Sequence, residues 1–193
     1  MTLVEMVVVL AILGVLSTVL YATVSTNVSA KNDVDRINNV AKTLDDLSRA
    51  IAFFEPTRQA FTFHQTIGVY PGRLSHITTV ITTSQRNSCG AFYTAGNVVA
   101  WIGGYYNREL PPAGFPIDAG FTSQDSLVRT PSSAGGTLNG TLAIVIPGVS
   151  ASDAGMLAST VDGDSTGTVG TVRFTRNGSN PVTVSYLTAV GGC

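Results

Sequence analysis

The sequence predicts an α+β fold: a long N-terminal α-helix, apolar in its first half and amphipathic in its second, packed on a C-terminal antiparallel β-sheet domain. Three observations predict it. Residues from Met1 to about Tyr21 are nearly continuously apolar. Val34, Ile37, Ala41, Leu44, Leu47, Ile51 and Phe54 then recur at steps of three or four, the spacing of one helix face. Beyond Arg58 the chain is rich in Gly, Ser, Thr and Val, a composition of strands and turns. The expected boundaries are 1–55 for the helix, apolar over residues 1–25 and amphipathic over residues 31–55, and 56–193 for a globular, β-rich head.

The apolar stretch carries one charge, Glu5, and no Lys or Arg precedes Lys31. About 20 apolar residues span a hydrocarbon layer as a helix, and in lipid only a helix satisfies the backbone of an isolated span. A cleaved secretory signal requires a basic n-region, whereas here the leading charge is acidic. Gly14, Ser17 and Thr18, with Thr23, Ser25 and Thr26 beyond them, are the points where this helix is expected to loosen or let another helix approach. An intramembrane carboxylate generally marks a pairing role, so Glu5 needs a partner.

Ten of the 23 charged side chains lie between Lys31 and Arg58, where they fill positions off the apolar face. Glu55-Pro56 supplies the stop, because proline pushes the preceding residue out of the helical region. One helix of about 54 residues has a length of roughly 80 Å. Residues 57–86 show a turn signal at Tyr70-Pro71-Gly72 and no clear periodicity. Residues 97–106 are expected to hold a strand ending at Gly103-Gly104, with Trp101, Tyr105 and Tyr106 in the sheet core, and 108–121 to form a proline-rich loop. Three strands are expected at 140–148, 170–178 and 181–190, the last two joined by a hairpin through Asn177-Gly178-Ser179-Asn180.

A net charge of −1 and a pI near 6.0 lack the basic stripe of a nucleic-acid binder. The two cysteines, Cys89 and Cys193, form an even number in a chain whose start implies export, and a disulfide is the expected outcome. Closing a loop of about 100 residues constrains the unfolded chain by roughly 4–5 kcal/mol in the chain-entropy model.

The start, MTLVEMVVVLAILGVLS, resembles the mature N-terminus of type IV pilins and pseudopilins, members of the type IV filament superfamily. Thr2, Leu3, Val4, Glu5 and Gly14 match the family pattern. Met1 stands where phenylalanine is usual, and Ala22 where a helix-loosening proline is common. The resemblance implies a leader cleaved before Met1 and N-methylation there by a prepilin peptidase. It also implies residence in the inner membrane before assembly, then a helical homopolymer on the cell surface with residues 1–25 in its core. Glu5 would pair with the Met1 amine of a neighbouring subunit, and an assembly ATPase and a platform protein would be partners. The alternative within the same family is a pseudopilin of a type II secretion system. Neither function is enzymatic, and neither requires a cofactor.

The motifs that suggest chemistry weigh little beside this. Gly163-Asp164-Ser165-Thr166-Gly167 fits the Gly-x-Ser-x-Gly pattern, but a nucleophile elbow needs a strand before it and a helix after it, and here the flanks read as turn and strand. Asp153, Asp162 and Asp164 offer carboxylates to calcium without the order of a calcium loop. His64 and His76 lack Cys or His partners at zinc-ligand spacing. Asn27, Asn139 and Asn177 open glycosylation-type tripeptides.

Overall fold

In a computed structural model of the chain, the described residues are 3–52, 62–130, 140–175 and 180–191. They form a mixed α+β structure with antiparallel sheets. Helix α1 is assigned to Leu3–Ala52, and the chain divides into two compact units, Met1–Arg36 and Ile37–Cys193.

The first unit is helical. Two of its hydroxyls turn back on the helix: Ser17 Oγ donates to the Leu13 carbonyl at 2.7 Å and Thr18 Oγ1 to that of Val15 at 2.8 Å. Both groups are thereby satisfied within the helix itself. Gly14 is helical too, with open space around its α-carbon.

The second unit holds the core. From α1, Ile37, Val40, Leu44, Leu47 and Ile51 are no more than 1 % exposed. Burying five such side chains is worth about 10 kcal/mol before entropy is counted. The face differs from the expected one at two places. Val34 is 55 % exposed, and Val40 rather than Ala41 is fully buried; Phe54 lies outside the described residues.

The main sheet has the order β3-β4-β6-β5, antiparallel throughout. Its strands are β3 (Leu127–Arg129), β4 (Thr141–Val149), β5 (Val172–Arg173) and β6 (Val182–Gly191). Central β4 buries Leu142, Ala143, Ile144 and Ile146 in an almost unbroken run, as a strand covered on both faces does. A second, two-stranded sheet pairs β1 (Phe115–Asp118) with β2 (Phe121–Ser123). Helix α4 (Ala151–Asp162) follows β4. It starts at Ser150, whose side chain accepts from the Asp153 amide at 3.0 Å, and ends at Gly163 in the left-handed conformation.

Between α1 and the sheet, α2 (Phe63–Ile67), a 3-10 turn (Leu74–Ile77) and α3 (Ala95–Ala100) are local structures. Capping boxes nucleate two of them, Thr62 with Gln65 and Thr94 with Asn97.

Several expectations are corrected. Residues 95–100 are a helix and not the start of a strand, because the Thr94–Asn97 box outweighs the β-branched Val98-Val99 pair. Trp101, Tyr105 and Tyr106 are partly buried against the core, but from loop positions and not from a sheet. The proline-rich loop at 108–121 contains β1 and begins β2. Among the described residues, the strand expected at 170–178 is only Val172–Arg173; Arg176 and the hairpin residues Asn177, Gly178 and Ser179 lie outside them.

Candidate functional site

The first unit displays an apolar surface. Met6, Val9, Leu10, Ile12, Leu13, Val15 and Leu16 are each between 48 % and 67 % exposed. At about 100° per residue these positions spread over roughly 220° of the helix circumference. An amphipathic stripe serving one core is narrower. Glu5 lies in the first turn of α1, where the positive end of the helix dipole favours an acid. Its side chain, Met1, and the side chains of residues 19–30 lie outside the described set, and the pairing expected of Glu5 and Met1 falls there. No helix is long and apolar enough, among the described residues, to cross a membrane.

The second unit contains a buried polar cluster that sequence reasoning did not assemble. Asp125 is 7 % exposed. Its carboxylate accepts from the Ser75 amide at 2.7 Å and from Ser75 Oγ at 3.1 Å, and faces Arg73 at 3.6 Å. Beside it His76 is 2 % exposed. The Tyr93 hydroxyl, which takes a backbone hydrogen bond from Gly72, lies 2.9 Å from His76 Nδ1. That arrangement directs the phenolic proton to Nδ1 and leaves the imidazole proton on Nε2, which has no hydrogen-bond partner among the described residues. Burial lowers the His76 pKa to about 4, with Asp125 opposing and Arg73 adding to the effect. Burial likewise pushes the Tyr93 hydroxyl far above its ordinary value. Both groups are neutral at physiological pH, and their contact ties Tyr93 to the 3-10 turn that carries His76.

The other motifs lie in ordinary packing and turn surroundings. Ser165 follows the end of α4 and precedes the short β5, the reverse of an elbow's strand-then-helix order. It lines an open hollow of about 490 Å³ with Ser152, Gly155, Met156 and Ser159. His64 stacks on Tyr70 with ring centroids 4.1 Å apart. Asp162 accepts from the Thr171 and Val172 amides, both at 2.8 Å, and a β-carbon at Gly170 would come within 2.5 Å of that carboxyl group. Asp164 accepts from the Thr166 hydroxyl at 2.5 Å and from the Thr166 amide at 3.0 Å, and these two bonds, the hydroxyl's first, hold its carboxyl below the usual value. Each of these two carboxylates closes a turn. Among the described residues no cluster of three His, Cys, Asp or Glu side chains suits a metal ion.

Cys89 is disulfide-bonded, and Cys193, the one other cysteine in the chain, lies outside the described residues. The loop carrying Cys89 is clamped by Arg129 of β3. Its Nε donates to the Ser88 carbonyl at 3.1 Å, and one terminal nitrogen reaches Ser88 Oγ at 3.0 Å and Cys89 Sγ at 3.5 Å. The other donates to the Gly140 carbonyl at 3.0 Å. The Asn87 side chain accepts from the amides of Cys89 and Ala91 at 2.9 and 3.1 Å.

No family model, curated protein or solved structure matches this chain.

Proposed function

We propose that this chain is a structural subunit of a type IV pilus or a closely related extracellular filament. The exposed apolar surface of α1 carries the reading. Seven large side chains, each about half exposed, gain about 1 kcal/mol apiece on burial, and two environments provide it in turn. Lipid of the inner membrane does so first, other copies of the same helix afterwards. A head-to-tail contact that does not close yields a helical filament. In this arrangement α1 is one long helix whose apolar half packs in the filament core and whose amphipathic half lies on the β-sheet of the head.

Glu5 supports the same reading through its cost. A buried carboxylate without a partner carries a penalty of several kcal/mol, and the Met1 amine of a neighbouring subunit relieves it while fixing the register between copies. By resemblance, a prepilin peptidase, an assembly ATPase and a platform protein act on the chain. Replacing Glu5 by Gln tests the pairing: the variant inserts in the membrane at normal levels, and fibres recovered by shearing fall at least tenfold. Unchanged fibre yield refutes it. Short polymers retained in the envelope would favour a pseudopilin.

A further inference from the structure

We propose that Arg129 activates Cys89 as the sulfur that reacts first when the disulfide forms. The inference rests on the clamp and is independent of the filament reading. Among the described residues, four hydrogen bonds, to Ser88, Cys89 and Gly140, fix the guanidinium with one nitrogen 3.5 Å from Cys89 Sγ. Three of the four partners are not sulfur, so the guanidinium is held beside Cys89 without relying on its contact with the sulfur. A guanidinium stays charged throughout the physiological range, and a cation at this distance stabilises a thiolate. The Asn87 side chain fixes the Cys89 backbone independently.

The reaction runs in two exchanges with an oxidant that is itself a disulfide, either a small molecule or a dithiol oxidoreductase. Cys89 loses its proton to solvent, and the thiolate attacks one sulfur of the oxidant. The oxidant's S–S bond breaks, one of its sulfurs leaves as thiolate, and a mixed disulfide remains on Cys89. The Cys193 thiolate then attacks Cys89 Sγ and expels the second oxidant thiolate. Two protein thiols are oxidised and one disulfide is reduced to two thiols. Arg129 is a positioning residue, because it sets the thiolate fraction of Cys89 without bonding to the oxidant.

The test uses the full chain in detergent with Cys193→Ser, which leaves Cys89 alone, and with Cys89→Ser, which leaves Cys193 alone. The pH profile of iodoacetamide alkylation gives each thiol's pKa. Cys89 is expected at least about one unit below the ordinary value near 8.5. Against oxidised glutathione at neutral pH, the larger thiolate fraction is partly offset by lower nucleophilicity, so Cys89 is expected to react about threefold faster than Cys193. Adding Arg129→Met should return the Cys89 profile to the ordinary value, and Arg129→Lys should keep most of the shift. A Cys89 profile at or above the ordinary thiol value, or faster reaction at Cys193, overturns the proposal. That outcome is read in the two cysteine variants alone and so does not depend on an Arg129 variant folding.

Discussion

Acidification from about pH 7.5 to about pH 4.5 will cost the Ile37–Cys193 unit about 2.5 kcal/mol through one side chain, His76. In the unfolded chain its pKa is 6.5, and in the fold burial lowers it to about 4. The folded state therefore binds fewer protons than the unfolded state between these values, and stability rises with pH across that window. Above about pH 6.5 the contribution is fully present. It is lost as pH falls toward 4 and is constant below. The whole shift is worth about 3 kcal/mol at 1.36 kcal/mol per unit, with about 1.4 kcal/mol gone by pH 5.5. The charges facing the imidazole are Asp125 and Arg73, and Tyr93 donates to Nδ1, which favours the neutral ring. Urea unfolding of the full chain in detergent measures the effect. Trp101 fluorescence is a local probe, because its indole N–H donates to the His76 carbonyl at 3.1 Å. His76→Asn keeps an acceptor for Tyr93 and cannot titrate. It should be less stable at every pH yet show a flatter dependence between about pH 6.5 and 4.5. Equal slopes in the two proteins would refute the reasoning.

Other perturbations have definite outcomes. Asp125→Ala strands the Ser75 amide and hydroxyl and should cost about 3 kcal/mol in urea unfolding; an unchanged midpoint would contradict the cluster's role. Leu47→Ala should cost about 2–5 kcal/mol, whereas Val34→Ala, on the exposed side of the same helix, should stay within about 0.5 kcal/mol. Asp162→Ala removes a charged acceptor from two amides and should cost about 2–4 kcal/mol, with faster hydrogen exchange at Thr171 and Val172. Protection equal to wild type there would contradict it.

The sequence conveyed most where a single period decided the structure. Ile37, Leu44, Leu47 and Ile51 were legible as a buried face because helical spacing has few alternatives. Val34 misled because periodicity does not say where the head ends. Strands β4 and β6 were legible as runs of β-branched and apolar residues. Helix α4 was overlooked because Gly155 and its Ala and Ser residues weaken the apolar pattern, although Ser150 and Gly163 mark its ends. The stretch 95–100 was misread because Val98 and Val99 favour strand in isolation, while the cap at Thr94 acts on the backbone directly. The polar cluster and the Arg129 clamp were not legible. Asp125 and Ser75 are 50 residues apart, Arg129 and Cys89 40, and only the fold brings such pairs together. Glu5 stood out for the opposite reason, as a charge with no local explanation in an apolar run.

The central claim, that the apolar helix assembles copies of this chain into an external filament, is tested most directly by electron microscopy of material sheared from producing cells. Mass spectrometry then identifies the main protein and its first residue. The account predicts long fibres built of this chain, beginning with methylated Met1. A sheared fraction without such fibres, with the chain retained in the envelope, would contradict it.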